Sequence, residues 1–597
     1  MTHAVQILHD VFGYPEFRGQ QAEIIDTVAS GHHALVLMPT GAGKSLCYQI
    51  PALMRDGVAI VVSPLIALMQ DQVTALNVNG IAAACVHGGT SSEEIRRIAD
   101  DIASEHLKLL YVAPERLVMP RFLQFLHQTP ISLFAIDEAH CVSQWGHDFR
   151  PEYQQLAILA DEFASVPRIA LTATADSATR ADIQHYLALN DARLFVSSFN
   201  RPNIDYQVVE KNNGKKQLLQ FIRSQMPGEN GIVYCLSRKR VEDIAAFLTE
   251  NGLTALPYHA GLDWETRSHN QRRFTQEDGI IVVATVAFGM GIDKPDVRFV
   301  AHLDMPASIE HFYQESGRAG RDGLPATSWL CYGLNDWVLL RERIQLAERD
   351  EAQKLIDLQK LDAMLAFCET ADCRRQLLLR YFGEDSQPCG HCDNCTDPPT
   401  RFDGTVLAQK LLSCVYRVGQ RFATGHVIDV LRGRKSEWVL RYGHQQLSTF
   451  GIGSQLSVKE WRTVVRQCVA AGYLNVDIAN QALQLTEQAR AVLKNEHQVW
   501  LRPLKHDKIR SSRNNDTWLR TEREERLWQN LRRWRKERAS ENNVPAYTIF
   551  ADRTLHDLVQ HPPATMADLN QIYGLGESKI RNFGADILSI CREWAQK

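Results

Sequence analysis

The chain has 597 residues, 45% of them apolar, and a formal net charge of −4. That length predicts about four domains, and the near-neutral balance excludes a globally basic surface, so any nucleic-acid-binding face must be local. No run approaches the roughly 18 uncharged apolar residues of a membrane helix, the start lacks a basic segment followed by an apolar one, and 13 cysteines, an odd count, argue against a disulfide framework; a cytoplasmic protein with no membrane partner is expected.

From about residue 30 to 200, short β-rich runs at 34–38, 58–62, 108–112, 132–137 and 168–172 alternate with helical patterns, the rhythm of a parallel sheet. The first run opens into Met38-Pro39-Thr40-Gly41-Ala42-Gly43-Lys44-Ser45. Thr40, Gly41 and Gly43 form a turn whose backbone N–H groups can converge on phosphates, Lys44 reaches the outer ones and Ser45 suits a magnesium ion. A non-functional Gly-Lys-Ser turn is the alternative. Asp137-Glu138-Ala139-His140 closes the 132–137 run, with Asp137 suited to the same metal, Glu138 to polarising an attacking water, and His140 to relaying contacts nearby. Together the two motifs predict an ATPase. The segment after them, Gln144–Arg150, interleaves Trp145 and Phe149 with His147 and Arg150. Such rings are either core residues or platforms on which unpaired bases stack for about 1–3 kcal/mol each.

The alternation restarts after Asn200-Arg201-Pro202-Asn203, with runs at 231–235, 280–284, 298–303 and 328–332. It ends in Gln314-Glu315-Ser316-Gly317-Arg318-Ala319-Gly320-Arg321. Arg318 and Arg321 read either as surface salt-bridge partners or as arginine fingers, which are worth about 10³–10⁵ in rate. If they reach a nucleotide held by Lys44 on the other lobe, the lobes close when it binds and part when it leaves. From 335 to 382 the pattern is helical, and then Cys373, Cys389, Cys392 and Cys395 fall at spacings that let four thiolates reach one zinc ion at about 2.3 Å. Buried thiols or a disulfide are the alternatives.

Residues 401–500 outline a winged helix. Thr424 is expected to cap a helix ending at Gly433, Ser457 and Glu460 to form a capping box, and Arg462 and Arg466, four apart, to share an exposed face, which either meets duplex DNA or belongs to a protein-docking fold. Strands at 473–476 and 482–485 flank a turn with no aromatic tip, so no strand-separating role is assigned to it. The stretch 502–538 carries 13 lysines and arginines against 6 acidic residues. In the last helical region, Gly574-Leu575-Gly576 precedes a helix bearing Lys579 and Arg581, either a phosphate-binding turn or a helix-packing one.

Three further sets of residues make a family recognisable: Phe17-Arg18-Gly19-Gln20-Gln21 upstream of the phosphate loop, the run 141–153 after the Asp-Glu-Ala-His box, and Thr172-Ala173-Thr174 with Asp293. Residues 10–330 resemble the superfamily 2 helicase core, and the whole chain resembles the RecQ DNA helicases. The resemblance implies an α/β fold of two tandem RecA-like lobes at 1–205 and 206–340, a helical zinc-binding region at 341–400 and a winged helix at 401–505. A basic linker at 506–520 and an all-helical HRDC domain at 521–597 complete it. It implies that Gln21 reads the adenine edge with Arg18 assisting and Tyr14 stacking on the base, that Gln314 joins the nucleotide contacts, and that the Trp145 loop senses single-stranded DNA. The implied cofactors are ATP, Mg²⁺ and Zn²⁺; the implied partners are single-stranded and branched DNA and a single-strand-binding protein, at the nucleoid if the source is bacterial. The activity implied is 3′-to-5′ unwinding in recombination and repair. An RNA helicase of the same superfamily, and a DNA-binding scaffold with a dead ATP site, are the rival readings.

Overall fold

Apolar runs of four to six residues that are buried along their whole length need cover on both faces, which parallel sheets obtain from crossover helices. The computed structural model describes residues 3–39, 41–143, 149–173, 177–288, 294–477, 481–503, 521–542 and 544–595. Its first sheet contains β1 (Ala34–Leu37), β2 (Val58–Val62), β3 (Ala83–Val86), β4 (Leu109–Val112), β5 (Ile131–Ile136), β6 (Arg168–Thr172) and β7 (Arg193–Val196). They lie in the order β3-β4-β2-β5-β6-β1-β7 and every pairing is parallel. Alternate residues feed opposite cores: Val36, Ala59, Val61 and Leu109 enter one, while Leu35, Ile60, Val62 and Leu110 enter the other.

The second sheet contains β8 (Ile204–Glu210), β9 (Gly231–Tyr234), β10 (Thr254–Tyr258), β11 (Ile280–Ala284), β12 (Phe299–His302) and β13 (Ala326–Tyr332), ordered β10-β11-β9-β12-β13-β8. The expected division between residues 205 and 206 cuts β8, which pairs with β13 from Ile204 onward, so the second lobe begins earlier than the sequence reading placed it.

Helices Leu334–Leu346, Glu351–Glu369 and Arg374–Tyr381 follow. The winged helix is built from helices Thr405–Arg417, Thr424–Leu431 and Val458–Ala470 with antiparallel strands Leu474–Val476 and Leu483–Leu485. Ser457 and Glu460 form the expected box: Ser457 Oγ accepts from Glu460 N at 3.3 Å and Glu460 Oε2 accepts from Ser457 N at 2.7 Å. The preceding helix is different, since Ala423 occupies the cap position and Thr424 is its first helical residue. Phe312 and Tyr206 of the second lobe, Phe367 and Leu379 of the helical region, and Trp461 and Val465 of the winged helix share one continuous core. The C-terminal module, with helices Glu522–Glu541, Ala546–Ile549, Asp552–Gln560, Met566–Leu569 and Glu577–Ala595, has its own core around Leu531, Leu558 and Ile587. Among the described residues, no helix is long and apolar enough to cross a membrane.

One expectation for the winged helix is corrected. Arg462 is exposed, but Arg466 is buried, where it bonds Glu210 at the end of β8 at 2.7 Å and Glu369 of the helical region. Arg502 reaches the same Glu369 at 2.5 Å, and Tyr332 donates its hydroxyl to it at 2.6 Å. Two acidic partners on other elements draw Arg466 inward, so it joins domains and is not offered to DNA. Burial alone would raise the Glu369 carboxyl; Arg466 and Arg502 outweigh it and hold the group at about 2. A carboxyl depressed in this way lends stability above its ordinary range that is lost as pH falls from about 4.5 toward 2, of order 3 kcal/mol. Glu369→Gln is expected to lower the unfolding midpoint by several degrees at pH 7, because two buried guanidiniums lose their counter-charge. That deficit should shrink below pH 4. A deficit independent of pH would assign the effect to packing.

Candidate nucleotide and metal sites

Ligands in open α/β sheets bind beyond the carboxyl ends of the strands. Here β1 and β5 flank β6 in the sheet, so the phosphate loop after β1 and Asp137-Glu138 after β5 leave from the same edge. Two glycines give the loop its shape: Gly41 at φ +83° and Gly43 at φ +86° occupy the left-handed region, which a residue bearing Cβ rarely adopts. Lys44 Nζ donates to Met38 O at 3.1 Å, folding back over the loop, and Ser45 stands at the cap of helix Leu46–Met54. Thr40 lies outside the described residues.

Glu138 has φ 49° and ψ 44°, a left-handed backbone in a residue with a long side chain. Such conformations cluster where a side chain must be aimed. Its N–H donates to Asp137 Oδ1 at 3.0 Å, and Tyr153 donates its hydroxyl to Asp137 O at 2.9 Å. His140 is buried 3.3 Å from Glu138 Oε2 and 3.0 Å from Thr172 Oγ1. Burial, with Lys44 and Arg150 adding to it, pushes the His140 imidazole down to about 3, so it is neutral at physiological pH. It therefore joins the Asp137-Glu138 turn after β5 to Thr172 at the end of β6.

A cleft of about 480 Å³ is lined by Lys44, Asp137 and Glu138 from the first lobe and by Gln314, Arg318 and Arg321 from the second. The lobes meet closely there: a Cβ on Gly41 would stand 3.3 Å from Arg321 Cα. Arg318 and Arg321 follow the end of helix Ile309–Ser316, and two residues braced against their turn escaped the sequence reading. Arg201 donates to Gly317 O at 3.0 Å and to Ala319 O and Gly320 O at 2.9 and 3.0 Å. Asn203 Nδ2 donates to Gly320 O and Leu324 O, both at 2.8 Å. A charged and a polar residue in an otherwise short interlobe linker, Asn200-Arg201-Pro202-Asn203, was the available signal.

The upstream segment is arranged differently from the expectation. Gln21 is buried, with Nε2 donating to Ala42 O and Gly43 O, both at 3.1 Å, and Oε1 accepting from Arg18 N at 2.9 Å. Its carboxamide thus braces the phosphate loop. Arg18 Nη2 donates to Tyr573 Oη of the C-terminal module at 2.6 Å, and Tyr14 lies 5.0 Å from the Tyr573 ring, centroid to centroid. Of the aromatic loop, Trp145 and His147 lie outside the described residues, as do Thr174 and Asp293. Phe149 is exposed, and Arg150 Nη1 donates to Pro64 O at 2.8 Å.

The Gly574-Leu575-Gly576 turn packs on the first lobe. Gly574 N donates to Gly13 O at 2.7 Å, and a Cβ on Gly576 would come within 2.3 Å of Val11 O. The helix-packing alternative is therefore the one realised, and the phosphate-binding expectation for this turn is corrected. Lys579, also expected to meet DNA, lines the nucleotide cleft, and burial pushes its amine down to about 8. Arg581 is exposed.

The four cysteines converge. Their Sγ atoms all lie within 4.8 Å of one another, with Cys392 to Cys373 at 3.9 Å and Cys389 to Cys395 at 4.0 Å. Four sulfurs about 2.3 Å from one centre stand a little under 4 Å apart, so the donor set fits tetrahedral zinc. Backbone N–H groups of Cys389 and Cys392 point at Cys373 Sγ and Cys389 Sγ at 3.2 and 3.3 Å, the type of support that orients ligating groups. Arg374, fully buried, clamps the loop by pairing with Asp393 at 2.9 Å and donating to Phe367 O and Cys368 O. Arg375 ties it to the second lobe through Ile204 O.

Family models match the chain along most of its length: a DEAD/DEAH box helicase over residues 18–183, a helicase conserved C-terminal domain over 213–323, a RecQ zinc-binding region over 334–396, an RQC domain over 398–509 and an HRDC domain over 524–591. Among curated proteins, the ATP-dependent DNA helicase RecQ of Pasteurella multocida is 44% identical over 99% of this chain and 94% of its own. The protein of that name from Haemophilus influenzae is 44% identical over 99% and 96%, and the one from Bacillus subtilis 39% identical over the full length of both.

Proposed function

The chain belongs to the RecQ family of ATP-dependent DNA helicases, and from that premise we propose how its residues divide the work. The family fixes the activity as ATP hydrolysis coupled to DNA unwinding. Lys44 holds the outer phosphates, Glu138 orients the attacking water and draws off its proton, and Arg318 and Arg321 offset the negative charge that gathers on the transferred phosphoryl group. Magnesium, held by Ser45 and Asp137, supplies charge neutralisation on the phosphates. Zinc, held by Cys373, Cys389, Cys392 and Cys395, supplies structural cross-linking of a loop with little apolar core. The observation that carries this reading is the single cleft lined by Lys44 and Glu138 from one lobe and by both arginines from the other. A charge that develops in such a cleft pulls the lobes together, and its departure lets them separate.

Trp145, His147, Phe149 and Arg150 follow directly from the Asp137 strand, and we assign them to the DNA strand that stimulates hydrolysis. Arg462, exposed on the winged helix, and Arg581, exposed on the C-terminal module, are assigned to phosphates of the duplex. The substrate is single-strand-flanked and branched DNA, with a single-strand-binding protein as partner. Strand displacement on forked duplexes with one tail tests the direction. A 3′ tail is expected to support ATP-dependent unwinding and a 5′ tail to support at most a tenth of it; equal rates, or a preference for the 5′ tail, reject the assigned polarity.

A further inference from the structure

The C-terminal module touches both halves of the ATP machine. On the first lobe, Gly574 N donates to Gly13 O at 2.7 Å and Ser578 Oγ to Val78 O at 3.2 Å. On the second, Arg532 pairs with Asp278 at 3.0 Å, and a Cβ on Gly323, two residues past Arg321, would lie 3.4 Å from an Arg553 guanidinium nitrogen. Tyr573 hangs between these anchorages into the nucleotide cleft, together with Arg553 and Lys579, and Arg553 stacks over its ring at 4.2 Å.

Tyr573 engages two groups that the base of a nucleotide would need. Its ring is 5.0 Å from that of Tyr14 and tilted by 43°. A base sandwiched between two rings holds them about 7 Å apart, twice the contact distance of stacked carbon atoms, so nothing fits between this pair. Tyr14 also packs against the core of the first lobe, which leaves the side covered by Tyr573 as its approach from the cleft. The Arg18 guanidinium, meanwhile, is held by the Tyr573 hydroxyl at 2.6 Å.

We propose that Tyr573 is an internal competitor for the adenine position: the docked C-terminal module and a nucleotide base contend for Tyr14 and Arg18, so the module limits nucleotide affinity and is displaced in each ATP cycle. This rests on the reading, implied by the family resemblance, that Tyr14 and Arg18 meet the base when a nucleotide is bound. Because the module is anchored to both lobes, undocking it also frees them to move relative to one another. Because the docked module and the base exclude one another, whatever weakens docking tightens nucleotide binding, by at most the factor by which docking is weakened, since a protein whose competent state is only partly populated shows an affinity reduced by that fraction.

The test is titration of the full-length protein with ADP by calorimetry, alongside the ATP dependence of DNA-stimulated hydrolysis. Tyr573→Ala should bind ADP and reach half-maximal hydrolysis at three- to tenfold lower nucleotide concentration. Tyr573→Phe, which keeps the ring and drops the hydroxyl bond to Arg18, should shift less in the same direction. Arg532→Glu, far from the base, should also tighten binding, and adding Asp278→Arg should restore the original value. Unchanged or weakened ADP binding in Tyr573→Ala would overturn the proposal, as would failure of the charge swap to reverse Arg532→Glu. An unmodified protein that hydrolyses no ATP would instead sink the functional reading above, while the ADP titrations would still decide this one.

Discussion

Arg321→Ala is expected to lower DNA-stimulated ATP turnover by about 10³-fold while changing ADP affinity less than tenfold. An arginine finger contributes about 10³–10⁵ in rate because its charge is worth most when negative charge accumulates on the transferred group, and little in the ground state. Arg321 sits where this is required: its Cα lies within 3.3 Å of where a Cβ of Gly41 would stand, and it faces Lys44 and Glu138 in one cleft. The turn that leads into it is held by Arg201 and Asn203, which donate to the carbonyls of Gly317, Ala319 and Gly320. Arg318, buried where Arg321 is only half-buried, is more deeply committed to its own lobe and should give a smaller loss. Arg321→Lys should not rescue turnover, since an ammonium lacks the planar fork that meets two phosphoryl oxygens at once. Steady-state hydrolysis at saturating DNA measures this; more than a tenth of normal turnover in Arg321→Ala would mean that the residue is a structural neighbour of the cleft and not part of its chemistry.

The second large effect concerns zinc. Cys392→Ser is expected to abolish stoichiometric zinc, which elemental analysis reads as one ion per chain in the parent and none in the variant. It should also lower the unfolding midpoint by more than 10 °C. Structural zinc supplies about 10–16 kcal/mol of apparent binding energy in small domains, as much as the whole net stability of a typical domain, about 5–15 kcal/mol. The damage should not stay local. Asp393, beside the ligand Cys392, accepts from Arg374 and also from the backbone N–H of Val208 in β8, and the helical region shares its core with the second lobe and the winged helix. Zinc retained by the variant, or an unchanged midpoint, would reduce the cluster to four buried thiols.

The interior of both sheets was legible in the sequence, and the edges were not. Every run read as a strand of the two lobes (34–38, 58–62, 108–112, 132–137, 168–172, 231–235, 280–284, 298–303 and 328–332) is an interior strand of its sheet. The four that escaped, β3, β7, β8 and β10, are the outer strands of the two sheets. Edge strands lie partly in water, so β7 buries one residue of four and β10 two of five, and the apolar run that marks a doubly covered strand is missing. The phosphate loop, the Asp-Glu-Ala-His box and the arginine turn were visible because each is chemistry confined to a short local motif. What the sequence could not carry was pairing between distant segments. Arg466 reads as surface by its spacing from Arg462, yet Glu210 and Glu369, far away in the chain, bury it. Tyr573 gives no local sign of reaching Tyr14, because a contact across more than 550 residues leaves no periodicity behind.

The central claim is that one nucleotide is gripped from both lobes at once. It is tested most directly by determining the structure of the full chain with single-stranded DNA and magnesium ADP–aluminium fluoride, a mimic of the transferred phosphoryl group. The account predicts the Arg321 guanidinium within hydrogen-bonding distance of the fluorides, roughly 2.7–3.2 Å, opposite Lys44. A mimic seated on Lys44 and Ser45 with both Arg318 and Arg321 out of reach would contradict it.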